Sequence, residues 1–235
     1  MDTQTRHALK GDKLAKATQS SMDWVSGHRS NVVRWTIAGG AVLVVAVAAL
    51  IFWNVSNSGA NDALGAAMDI YSAPLVQPGL PKLSGEYETS AERAKAANEQ
   101  FVAVAKKYGW LPQGAQARYF AGVTYEDLGQ NDKAEAELKE ASGAWNKNLA
   151  NLSKLALAGL YRQMNRQDDA IKLYNELIAK PSDTVPATVA QLNLADLYSA
   201  TGKQQEARTL WAKVKDADKD GAAGAIAAQK LAPAQ

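Results

Sequence analysis

The 235-residue chain balances 26 Lys and Arg against 24 Asp and Glu, a net charge of +2, and contains no cysteine. Disulfides, thiol catalysis and zinc–thiolate sites are therefore excluded. The two histidines, His7 and His28, precede a long apolar stretch, so the chain beyond it lacks the imidazole for a Ser-His-Asp triad or a His-ligated metal.

Residues 1–34 form a basic leader, with Arg6, Lys10, Lys13, Lys16, Arg29 and Arg34 against Asp2, Asp12 and Asp23. Leu9, Leu14, Trp24 and Val25 give it a weak surface-seeking pattern, but its charges are better read as fixing topology. Residues 35–53 then carry no charge. As a helix they rise about 29 Å, close to the roughly 30 Å hydrocarbon core of a bilayer. Trp35 and Trp53 stand at its two ends, where an amphipathic indole prefers the headgroup boundary. No Lys or Arg follows until Lys82, so the basic flank is expected to stay cytosolic and the remainder to be translocated. A cleaved signal peptide is the alternative, with Ser58, Gly59 and Ala60 as the small residues of a cleavage site. The long leader and a span exceeding the usual apolar core of a signal peptide favour a single-pass signal anchor.

Residues 54–61 read as a polar linker. From residue 54 onward, 20 basic residues face 21 acidic ones, without the basic excess that neutralises phosphates, so no nucleic acid partner is expected. This region is rich in Ala, Leu, Glu, Lys and Gln and lacks strand-like alternation, which predicts an all-α domain. Leu64, Met68 and Tyr71 have the spacing of an opening helix. Pro74, Pro78, Gly79, Pro81 and Gly85 then interrupt it, so residues 54–89 combine linker, first helix and a loop that is either a spacer or a binding appendage.

A repeat follows. Gly122, Tyr125, Gly129, Ala134, Leu138 and Ala141 recur as Ala158, Tyr161, Asn165, Ala170, Tyr174 and Leu177, then as Ala195, Tyr198, Gly202, Ala207, Trp211 and Val214. An earlier copy survives in Ala97, Phe101 and Val104. Small residues allow antiparallel helices to approach, and the aromatics fill the space between neighbours. Gly129, Asn165 and Gly202 are expected to be left-handed residues ending the first helix of each unit. Asp132 and Asp168 are expected to cap the second helix, and Thr89 with Glu92 to form a capping box. Over residues 90–217 this pattern resembles the tetratricopeptide repeat. The predicted fold is all-α: one N-terminal transmembrane helix followed by a helical-hairpin solenoid of three to four repeats. Residues 218–235 supply a capping helix, residues 222–231, and a tail.

Three motifs are set aside. Asp216, Asp218, Asp220 and Gly221 match the start of an EF-hand loop, but Ala227 stands where a bidentate Glu is required, so they are read as a turn capping the last helix. Glu135, Glu137 and Glu140 alternate with alanines beside Lys133 and Lys139, which predicts an outer face and not a carboxylate pair for hydrolysis. The glycosylation-like Asn54-Val-Ser56 and Asn151-Leu-Ser153 are ascribed to chance, one hugging the span and the other falling within a helix.

The tetratricopeptide resemblance implies that the first helix of each unit lines a concave, peptide-binding face. In this register the groove comprises Tyr119, Val123, Glu126 and Asp127, then Leu155, Arg162 and Gln163, then Leu192, Asp196 and Ser199. It lacks the repeated Lys and Asn that grip acidic chaperone tails, so partly apolar protein segments fit better. A basic leader, one span and a translocated repeat domain together resemble the bacterial ancillary SecYEG translocon subunit family. The resemblance implies a non-enzymatic adaptor at the cytoplasmic membrane, its repeats periplasmic, with the SecYEG translocon and periplasmic chaperones or clients as partners. It implies no cofactor, metal or small-molecule substrate. A structural adaptor in envelope assembly or division is the alternative, and a carboxylate-based envelope hydrolase a third.

Overall fold

The computed structural model describes residues 29–77, 79 and 81–232. The leader through residue 28, with both histidines and its amphipathic segment, lies outside the described residues, as does Pro78. Two compact units divide at Ser56. Among the described residues the chain is all helical, with nine helices and no strand.

Helix α1 (Arg29–Tyr71) contributes to both units. Within the first, the large apolar side chains from Trp35 to Val55 are exposed. Among the described residues this is the one helix long and apolar enough to cross a membrane. The helix runs without a break through residues 54–61, read above as a linker. In the second unit tertiary packing overrides the low helix propensity of this Asn, Ser and Gly segment. Ala60 is fully buried, and the Gln113 side-chain amide donates to the side-chain Oδ1 of Asn57 at 3.0 Å and to that of Asn61 at 2.7 Å.

The second unit is a solenoid. The C-terminal half of α1 pairs with α2 (Ser90–Lys107), α3 (Pro112–Asp127) with α4 (Asn131–Ser142), α5 (Lys147–Gln163) with α6 (Gln167–Ala179), and α7 (Ala187–Ala200) with α8 (Gln204–Ala217). Helix α9 (Ala222–Leu231) closes the array, its Ala223 and Ala227 buried beside Ala207 and Trp211. This is the tetratricopeptide-like solenoid with terminal cap that the repeat predicted.

The periodic alanines are where the helices touch. Ala97, Ala134, Ala170, Ala207, Ala158 and Ala195 are all fully buried. Gly122 takes the same position in α3, where an added Cβ would sit 2.6 Å from Leu138 Cγ. Phe101, Leu138, Tyr174 and Trp211 fill the space that the small residues leave.

The three equivalent turns share one mechanism. Gly129, Asn165 and Gly202 have φ of 68°, 63° and 80°. This left-handed residue turns the chain so that the amides of Gln130, Arg166 and Lys203 each reach back 2.8 Å to the carbonyl of Tyr125, Tyr161 or Tyr198. The same tyrosine rings lie under the cations of Lys133, Arg166 and Lys203, at 5.3, 4.1 and 5.4 Å from the ring centre. Asp132 and Asp168 are therefore corrected from caps to first-turn residues. The next helix starts immediately after the left-handed residue, with Gln130 and Arg166 in the cap position and no side-chain cap bond. Their charges still favour the positive helix end. Thr89 does cap α2, accepting from the Glu92 amide at 3.0 Å, while the Glu92 carboxylate reaches back to the Glu88 amide instead of that of Thr89.

The Pro- and Gly-rich segment after α1 folds on itself. A parallel bridge joins Leu75 to Tyr87, with the Val76 amide donating to the Tyr87 carbonyl and the Tyr87 amide to that of Pro74. Arg93 of α2 holds its start by donating to the Ala73 carbonyl at 2.9 Å.

Candidate functional site

The predicted groove positions fall on α3, α5 and α7, the first helices of successive hairpins, and α3 packs directly beside α5. Tyr119, Leu155 and Leu192 occupy equivalent positions and are half buried. Leu155 and Leu192 pack with the core, Leu155 near Leu177 and Val185 and Leu192 near Trp211. Glu126, Arg162 and Ser199 form a second equivalent set, and Val123 and Asp196 belong to a third. Asp127, Arg162 and Gln163 are the exposed members.

The structure gathers the α3 residues into one cluster. The Tyr119 ring meets Phe120 edge-on at 5.1 Å, Phe120 stacks on Phe101 at 5.2 Å, and Tyr71 of α1 leans on Phe120 at 5.9 Å. Beside these rings, the Gln163 amide nitrogen donates to Glu126 at 2.5 Å, tying α5 to α3. Burial pushes the Glu126 carboxyl above the ordinary range; the Gln163 bond opposes this and Asp127 adds to it. Asp127 is raised by burial too, against the pull of the Arg93 cation. Burial likewise raises the hydroxyls of Tyr119, helped by Tyr71 and Glu126, and of Tyr71, helped by Asp127 and opposed by Arg93. The result is an apolar aromatic floor rimmed by two carboxyls whose pKa values lie above the ordinary range.

The α7 end differs. Asp196 accepts from the Trp211 indole at 3.3 Å and pairs with Lys230 at 3.4 Å, so its carboxylate ties α7 to α8 and α9. Ser199 is engaged with Gln204 across the α7–α8 turn. Tyr71, Phe120 and Arg93 belong to the floor or its rim but were not among the sequence-predicted residues. The 18-residue connection between α1 and α2 breaks the period, so stepping back from α3 by one repeat lands in that loop and misses α1.

The glutamates of α4 require a partial correction. Lys133, Lys139 and Glu140 are exposed as expected, but Glu135 and Glu137 turn inward to different neighbours. Glu137 faces Arg118 of α3 at 3.6 Å. Glu135 accepts from the Tyr161 hydroxyl at 3.0 Å and from Arg166 at 2.7 Å, and pairs with Lys139 at 2.5 Å. Positions two apart on a helix do not share a face, so these carboxyls cannot work as a catalytic pair on one bond. Burial would raise the Glu135 pKa, but hydrogen bonds from Lys139, Arg166 and Tyr161 outweigh it and hold it at about 2.

A carboxyl held below its unfolded value of about 4.3 stabilises the fold fully above that pH and loses the contribution as pH falls toward 2. Glu135→Gln should therefore lower stability by about 1 kcal/mol at neutral pH, the upper end for a solvent-screened pair. Urea midpoints of the two proteins should converge between about pH 4.5 and 2; a pH-independent gap would contradict the network.

Of the Asp216–Asp220 run read as a turn, Asp216 lies in the last turn of α8, and residues 218–221 form the turn. Asp218 Oδ2 accepts from the Gly224 amide at 3.1 Å at the start of α9.

A profile of the tetratricopeptide repeat-like domain family matches residues 31–235. No curated protein matches the sequence. Two solved structures of Podosopora anserina putative kinesin light chain nearly identical TPR-like repeats, one of them a point variant, are similar in fold. Each is 19% identical and covers 59% of this chain and 76% of its own, with TM-scores of 0.50 for the variant and 0.49 for the other. The family and its fold are those of protein–protein interaction scaffolds, typically without catalysis. With the profile spanning all but the first 30 residues, the chain belongs to the tetratricopeptide repeat-like domain family.

Proposed function

We propose that the protein is a single-span adaptor of the cytoplasmic membrane whose repeat domain, on the periplasmic side, binds partly apolar protein segments during translocation or hand-over to chaperones. The observation that carries this reading is the aromatic floor of Tyr71, Tyr119 and Phe120 beside Glu126 and Asp127, on the helices that line the binding face of this fold. Rings accept apolar side chains of many shapes, and the acidic rim suits the basic residues that flank them.

Anchorage by an uncleaved span is supported within the repeat domain. Cutting after Ala60 would divide α1, whose Ala60 is fully buried and whose Asn57 is bonded to Gln113. Tethering would then raise the local concentration of binding sites to about millimolar, so weak groove affinity suffices. The SecYEG translocon is the partner that this location favours.

Photoreactive residues at Val123 and Arg162 in the full-length protein test the reading in intact cells. Adducts with many different exported chains are expected. One stoichiometric partner would instead support a structural adaptor in envelope assembly, and adducts confined to the cytosol would sink the proposed orientation.

A further inference from the structure

We propose a second interaction surface: the edge of the repeat domain formed by the α2–α3 and α4–α5 turns contacts lipid, with Trp110 and Trp145 in the headgroup layer of the membrane that residues 35–53 would cross. Four turns lead from a second helix to the next first helix, and they differ in chemistry. The first reads Tyr-Gly-Trp-Leu over 108–111 and the second Gly-Ala-Trp-Asn over 143–146. Lys106 and Lys107 precede the first, Lys147 follows the second, and neither turn holds an acid. The later two turns hold Asp183, and Asp218 with Asp220, and no aromatic residue.

Trp145 is fully exposed and Trp110 half exposed, with all three lysines exposed around them. Single exposed apolar residues are ordinary; what singles these out is their place. Gln113, three residues past Trp110, bonds Asn57 and Asn61, so the α2–α3 turn lies where the chain enters the repeat domain. Asn57 follows Trp53, the last residue of the uncharged stretch, by four positions. Four residues reach at most about 14 Å even when fully extended. If residues 35–53 span a bilayer, chain length alone keeps this turn near its surface. Helix α5 packs beside α3, which puts the Trp145 turn about one helix spacing, roughly 10 Å, further along the same edge. Indoles favour the headgroup boundary, and lysines are drawn to anionic lipid. The turns nearest the entry point carry indoles and lysines without an acid, whereas the distant ones combine Lys180 and Lys219 with Asp183, Asp218 and Asp220 and carry no indole.

The proposal rests on the anchorage reading, and its test separates the two. The chain has no cysteine, so Ala144→Cys gives one site for an environment-sensitive fluorophore in the full-length protein. Ala200→Cys, exposed at the end of α7, is the control. Both are reconstituted into phosphatidylcholine–phosphatidylglycerol vesicles with brominated acyl chains. The label at 144 should be quenched severalfold more than that at 200, and Trp145→Ser should bring it down to the control level. Removing phosphatidylglycerol should also weaken it. Equal quenching at both sites in protein that floats with the vesicles after an alkaline wash would overturn the lipid contact alone. Protein that the wash releases would overturn the anchor, and this proposal with it.

Discussion

Phe101→Ala should destabilise the repeat domain by about 3–5 kcal/mol, the range for removing a fully buried phenylalanine whose surroundings cannot collapse. Phe101 is fully buried, stacked on Phe120 at 5.2 Å and met edge-on by Tyr71 at 6.1 Å. Its neighbours are drawn from three helices, α1, α2 and α3, so no single side chain can move in to fill the space. In a solenoid each repeat contacts only its neighbours, so the loss should be local before it is global. Amide exchange should speed first in α2 and in the C-terminal half of α1, with α7 to α9 still protected. The groove should suffer too, because Phe120 and Tyr119 rest on this ring. A urea shift equivalent to less than about 1 kcal/mol would mean that the cavity closes and the cluster is looser than it stands here.

Gly114→Ala and Gly224→Ala should each cost more than about 2 kcal/mol, although the same change inside an open helix position gains up to about 1 kcal/mol. Both glycines lie in the first turn of a first helix, α3 and α9, directly after the turn from the preceding hairpin. A Cβ on Gly114 would overlap the backbone carbonyl of Tyr108, and one on Gly224 that of Asp218. Backbone atoms cannot rotate aside as a side-chain tip can, so the turn itself must shift. Gly159 provides the contrast, since a Cβ there meets nothing within 4 Å. Gly159→Ala should raise the midpoint while the other two lower it, and a common sign for all three would contradict the packing.

The repeat domain is legible in the sequence because its constraint is local and recurrent. A closely packed antiparallel hairpin admits only a small residue at Ala134, Ala170 and Ala207, and a left-handed turn favours Gly129, Asn165 and Gly202. Such requirements are written once per repeat, so the period shows them. The uncharged span was legible for a similar reason, since length and absence of charge are properties of consecutive residues.

Contacts between distant residues left no such trace. Nothing in the spacing of Glu135 separates it from Glu140, yet one gathers Tyr161, Arg166 and Lys139 while the other stays exposed. Asp196 occupies a groove position by register but is drawn to Trp211 and Lys230 by the cap. The loop after α1 hid Tyr71 from the period and brought it to the aromatic floor. The linker that the composition of residues 54–61 implied became helix because Ala60 and Asn57 found partners in the following hairpin. Periodicity reports the positions where every repeat faces the same neighbour; the groove, the acidic pairings and the ends of the array depend on neighbours that differ, and only folding brings those together.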